Sequence, residues 1–180
     1  MMLHNLHKLL LTTIVCGSLG LSPVLFAGDT EQRARLARNP QTPAGQLQQL
    51  ANDPAWEVRR AIAANRRSPS ELLHQLAQDR DQRVRIAVVT NTATADNSHQ
   101  LLARDQDPVV RSVVARYEYC SAAVMDILAA DPLPDIRLEV AKNWNTSIAT
   151  LKKLTQDEFP EVAGTADNEL TKRQLEKTSE

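Results

Sequence analysis

The sequence predicts an all-α solenoid assembled from 26-residue repeats, each made of two short helices. Three observations carry that expectation. Residues recur in register at an interval of 26 through four full units, and each unit contains two helix start signals. Strand-like alternation is nearly absent, and aromatic residues make up only 3% of the chain.

The first element precedes the repeats. Lys8 is the only charged side chain in residues 1–27, and from Leu9 onward that stretch is dominated by Leu, Ile, Val, Phe and small residues. His4, His7 and Lys8 form a polar n-region and Leu9 to Val15 an apolar h-region, while Gly17, Gly20 and Pro23 loosen the chain before a cut expected after Ala27. This is the pattern of a signal peptide, so the mature protein is expected to be periplasmic or secreted. The rival reading is an uncleaved membrane tether, but Gly and Pro interrupt the apolar run short of the ~20 residues a span needs. Cys16 lies near the depth at which a lipid is attached, but Val15 before it is larger than lipoprotein processing prefers.

Without Lys8, 20 basic residues face 22 acidic ones. That balance implies no nucleic-acid partner and no preference for a membrane surface. Cys120 is the single cysteine left, which excludes an internal disulfide and favours a buried thiol over intermolecular pairing. Arginine is the only basic residue in 29–116, whereas acids exceed bases in 117–180. This asymmetry is read as drift between repeats in preference to head-to-tail self-association.

The repeat itself is plain once registered. Leu50, Leu76, Leu102, Leu128 and Leu154 are each followed three residues later by Asp53, Asp79, Asp105, Asp131 and Asp157. Further columns hold Val58, Val84, Val110, Ile136 and Val162, then Arg59, Arg85, Arg111 and Arg137, then Ile62, Val88, Val114 and Val140. Asn65, Asn91 and Asn143 share a column in which Tyr117 stands for the third unit. Arg33, Leu36, Ala37, Asn39, Thr42 and Leu47 extend the register backward. Four full repeats, starting at Leu50, Leu76, Leu102 and Leu128, are thus flanked by partial ones in a domain spanning 28–163, with 164–180 a polar cap or tail.

Within a unit, Asp53-Pro54 is a helix start, since an Asx side chain caps free N–H groups and Pro suits the first turn. Val58, Ala61 and Ile62 then share one helical face, and Asn65 suits a left-handed stop. Ser68-Pro69-Ser70-Glu71 reads as a capping box opening a second helix with Leu72, Leu73, Leu76 and Ala77 as its apolar stripe. Thr42, Thr94 and Thr146 repeat the cap in the column of Ser68. Helices shorter than ~12 residues are marginal alone, so stacking must stabilise them.

The run Asp53-Pro54-Ala55-Trp56-Glu57-Val58-Arg59-Arg60-Ala61-Ile62-Ala63-Ala64-Asn65, followed by Ser68-Pro69-Ser70-Glu71-Leu72-Leu73 and Leu76-Ala77, resembles the leucine-rich repeat variant, a HEAT-like bacterial repeat. The resemblance covers Arg33 to Val162. It implies a right-handed superhelix whose second helix is often 3₁₀ in character, and a structural role for Trp56. Some members carry a cysteine cluster for an iron-sulfur centre ahead of the repeats. This chain has no such cluster, so no cofactor is expected.

Catalytic signatures are missing from the sequence. Five glycines form no phosphate loop, and no nucleophile elbow, H-E-x-x-H or Ca²⁺ loop occurs. His74 and His99 occupy adjacent columns of successive units, too few ligands for zinc, and are read as solvated surface residues. The arginines Arg59, Arg85, Arg111 and Arg137 and the aspartates Asp53, Asp79, Asp105 and Asp131 are read as a structural ladder holding the stack in register, in preference to an anion site. Residues that break the pattern are the partner-binding candidates: Tyr117 in the Asn column, Tyr119 and Trp144 in the inter-helix loops, and Arg66 and Arg67 in those same loop columns. The expected function is an exported, non-catalytic scaffold that binds a protein or peptide. An accessory enzyme with a lyase- or hydrolase-like site in the groove, and an envelope-tethered structural protein, are the alternatives.

Overall fold

A computed structural model describes residues 29–178, with side chains as far as residue 176. The expected signal peptide, its cut after Ala27 and Cys16 lie outside the described residues. Those residues form eleven α-helices and no strand: α1 Thr30–Arg38, α2 Ala44–Leu50, α3 Trp56–Ala63, α4 Ser70–Leu76, α5 Gln82–Val89, α6 Asp96–Leu102, α7 Pro108–Arg116, α8 Ala122–Leu128, α9 Pro134–Lys142, α10 Ile148–Leu154 and α11 Pro160–Thr178.

The helices stack in two layers. α1, α3, α5, α7, α9 and α11 pack in succession along one layer, and α4, α6 and α8 succeed one another along the other. The Leu50 and Val58 columns supply the filling between the layers, since Leu50, Leu76, Leu102, Leu128, Val58, Val84, Val110 and Ile136 are all buried. Each helix is seven to nine residues long except α11, and its apolar face meets both its own partner and the next unit. The fold is therefore an all-α solenoid whose order comes from stacking, not from helix length.

Three local expectations are corrected by the structure. First, Asp53 does not cap α3, which begins at Trp56 behind Ala55. Asp53 Oδ1 instead accepts from the Ala55 N–H at 2.9 Å, folding the chain into an Asx turn ahead of the helix. The side-chain caps in this layer come from the column two residues later, at Asp29, Asp81 and Asp107. Second, Ser68 is not the cap of α4. Its buried hydroxyl turns back and donates to the Ile62 carbonyl at 2.7 Å, in the last turn of α3. Thr42, Thr94 and Thr146 do the same to Leu36, Val88 and Val140, each at 2.6 Å, which supplies a partner to a carbonyl at a helix end. Third, Asn39 and Asn143, at the stop column, are extended and not left-handed, with φ of −66° and −72°.

The second helix is α-helical, where the resemblance implied 3₁₀ character. Leu47, Leu73 and Leu151 donate to the carbonyls of Pro43, Pro69 and Ser147 four residues back. Three-residue spacing is confined to the ends, as in Ser98 N–H to Ala95 in a first turn and Arg104 N–H to Leu101 after a last one.

The C-terminal stretch departs from the repeat. α11 runs through 19 residues without a break, so the boundary expected at residue 163 falls inside a helix. Val162, Ala166 and Leu170, four residues apart, are buried against α9 and α10. One long helix thus covers the end of the stack where two short ones would have continued it.

Two ladders and a candidate interaction ridge

The ladder arginines each bridge two units. Arg59, Arg85, Arg111 and Arg137 donate from Nε to Oδ2 of Asp79, Asp105, Asp131 and Asp157 of the following unit, all at 2.6 Å. Their Nη1 atoms donate to the backbone carbonyls of Asp53, Asp79, Asp105 and Asp131 in their own unit, at 2.7 to 2.8 Å. Arg33 makes the first rung, at 2.7 Å to Asp53. Every rung is shielded, with guanidinium and carboxylate side chains at most 13% exposed. The carboxylate bond holds all five arginines above the ordinary range, and Arg137 draws Asp157 below its own. Arg33 and Asp157, outside the predicted ladder set, complete it.

A second ladder was not legible as one. Asn65 Nδ2 donates to the carbonyls of Ala37 and Asn39 at 2.7 and 3.1 Å. Asn91 repeats this on Ala63 and Asn65, and Asn143 on Ala115 and Tyr117. Each Oδ1 accepts from the N–H two residues on, at 2.9 Å. One buried amide thus shapes its own turn and fastens the previous one. At the end of the stack Arg173 of α11 takes the Asn143 and Thr146 carbonyls at 3.2 and 2.6 Å.

The third unit breaks this second ladder. Tyr117 cannot reach as an amide does; its hydroxyl donates to the Thr90 carbonyl at 3.4 Å. His99 Nε2 lies 3.0 Å from the Val89 carbonyl. His99 is only 4% exposed, so the solvated-surface expectation is wrong for it. It fills the core column of Leu47, Leu73 and Leu151, where burial follows from position, not from residue type. His74 is half-buried and its Nδ1 lies 2.9 Å from Ser98 Oγ of the next unit. Cys120 replaces the Ser68-type hydroxyl and is buried; burial, together with nearby Asp96, pushes its thiol up to about 12. It is thus a neutral packing group at neutral pH.

Above the ladders run the inter-helix loops. Arg66 and Arg67 are exposed on the first full unit's loop, Tyr119 (70% exposed) on the third and Trp144 (75% exposed) on the fourth. Tyr119 and Trp144 line one open depression of about 560 Å³ together with Glu118, Cys120, Ser121, Ala122 and Asn145. Arg66 and Arg67 are not part of it, and Tyr117 lies beneath, its ring 5.5 Å from those of both His99 and Tyr119. Trp56 is half-buried under the Arg83 guanidinium, 3.4 Å from its centroid. Among the described residues no group of three or more His, Cys, Asp or Glu could hold a metal ion, and no helix is long and apolar enough to cross a membrane.

The geometry defines an all-α repeat solenoid whose successive units are joined by side-chain ladders. The sequence profile of the Leucine Rich Repeat Variant domain matches residues 31–92, the span from α1 through the first full unit into the second, where the motif residues are densest. A solved structure described as a leucine-rich repeat variant with a novel repetitive protein structural motif is 27% identical, over 83% of this chain and 70% of that one, with a TM-score of 0.39. No curated protein matches the chain.

Proposed function

We propose that the protein is an exported, non-catalytic scaffold that holds a protein or peptide partner on the ridge of inter-helix loops. The observation that carries the reading is the pair Tyr119 and Trp144, large aromatic side chains left 70% and 75% exposed beside one depression. Aromatic residues contribute little to folding when solvated, and they dominate binding surfaces when covered. Export rests on the leader pattern of residues 1–27, and a soluble mature chain on its removal.

The test is affinity capture from periplasmic extract, with wild-type chain and a Tyr119→Ala/Trp144→Ala variant as baits. A partner retained by the first and lost by the second is the expected result; identical retention sinks the choice of surface. Sequencing the N-terminus of the mature protein tests the leader, with Gly28 as the expected first residue.

A further inference from the structure

The depression carries a charge as well as two aromatic rings. Glu118 is the only charged side chain among its lining residues, and no base accompanies it. Ser121, also on the lining, holds the Asp96 carboxylate below its ordinary range by hydrogen bonding, with Gln100 assisting. Asp96 is therefore anionic at neutral pH and adds negative potential behind Ser121, outside the lining itself. The Asn145 amide donates to the Glu118 carbonyl at 2.5 Å, tying the two loops that carry the rings. Tyr119 is further braced edge-on by Tyr117. The rings stand on a fixed base, their faces open to solvent, beside anionic groups.

Aromatic faces and a carboxylate favour the same kind of guest, since a ring quadrupole attracts cations and a guanidinium stacks on indole or phenol. We propose that this depression docks a basic peptide segment, with an arginine or lysine head seated against Tyr119 and Trp144 and its charge met by Glu118. The inference deepens the scaffold reading and rests on it, by stating what chemistry the partner presents. An acidic segment would meet like charge at Glu118.

Trp144 offers a direct readout, because Trp56→Phe leaves it the sole tryptophan. The probe is a capped octapeptide alternating arginine and serine, with a glutamate–serine counterpart as control. Saturable change in Trp144 emission with the basic peptide alone is expected, weakening as salt rises. By calorimetry, Trp144→Ala weakens binding about ten-fold and Glu118→Gln about three- to ten-fold, in the range of cation–π and surface ion-pair contributions. Both positions are exposed, so circular dichroism should show the variants folded. No saturable response, or an equal response to the acidic peptide, overturns the proposal. Self-association abolished by Arg66→Ser/Arg67→Ser also overturns it, in favour of a second copy as the guest. If capture still finds a Trp144-dependent partner while the basic peptide fails, this inference falls and the scaffold reading stands.

Discussion

The His99 imidazole holds the Val89 carbonyl, at 3.0 Å, that the asparagine ladder would assign to residue 117. In other units the amide reaches carbonyls 28 and 26 residues back; from position 117 the first of these is Val89. A carbonyl only accepts, so His99 Nε2 carries the hydrogen in this pairing. Two departures from the repeat, a histidine in a leucine column and a tyrosine in an asparagine column, thus compensate each other.

That compensation is measurable as a coupling. His99→Leu restores the column residue but strands a buried acceptor, and should cost about 1–3 kcal/mol. Tyr117→Asn alone brings a second donor to an occupied carbonyl. His99→Leu/Tyr117→Asn should recover most of the loss, with a coupling of about 1–2 kcal/mol in a urea-denaturation double-mutant cycle. Strict additivity would show that the two positions are independent.

The Arg–Asp ladder predicts a steep contrast between two arginines only two residues apart. Arg85→Ala leaves the Asp105 carboxylate shielded and unpaired, and should cost about 3–5 kcal/mol. Arg85→Lys should lose much of the same, because an ammonium cannot span Asp105 and the Asp79 carbonyl as the planar fork does. Arg83→Ala, whose side chain is 51% exposed in its bond to Asp81, should cost far less than either change at Arg85 at neutral pH, because water screens the pair. Comparable losses at both positions in chemical denaturation would contradict this account.

Cys120 should resist thiol reagents in the native protein, its thiol buried and raised to about 12. Labelling with a chromogenic disulfide is expected to track global unfolding across a denaturant series. Cys120→Thr places in the third unit the hydroxyl that Thr94 and Thr146 direct at a helix-end carbonyl, so it should match or exceed wild-type stability. Rapid labelling without denaturant would reveal a local opening at this loop.

Asp81 titrates at about 2, lowered chiefly by its bond to the Arg83 guanidinium and also by the Arg83 N–H. A carboxylate whose folded value lies below its ordinary 3.8 stabilises the fold above that ordinary value, and the contribution is lost as pH falls towards 2. Asp81→Asn keeps an acceptor for the helix cap while removing the charge. Its stability should therefore fall less than that of wild type between pH 4 and 2 in thermal melts. An identical acid limb for both proteins would show that the pair contributes nothing there.

The period, the paired short helices and the buried apolar columns were all readable, because a packing surface repeated every 26 residues leaves its mark on composition at fixed positions. Direction was harder to read than position. Ser68 stands at the spacing of a cap for α4, yet a hydroxyl can turn either way along the chain, and here it turns back to Ile62. Asn65 has the composition of a helix stop; its role lies in a carbonyl 28 residues earlier, a distance that local rules do not cover. His99 looked solvated because its type is polar, although its column is that of Leu73 and Leu151. The exposed pair at the ridge was marked by departure from the pattern, whereas the depression that joins Tyr119 to Trp144 and leaves out Arg66 depends on the spacing of loops in space.

The identical Arg–Asp pairing between every unit and its successor has a consequence for how such a chain can change length. Removing or duplicating a block of 26 residues hands each ladder arginine an equivalent aspartate, so that rail closes without a mismatched seam. Adding a single residue inside α5 would rotate both rails out of alignment at once. Growth and shrinkage are thereby quantised in whole units, and α11, by claiming the final carbonyls through Arg173, stops another unit from being stacked onto that face.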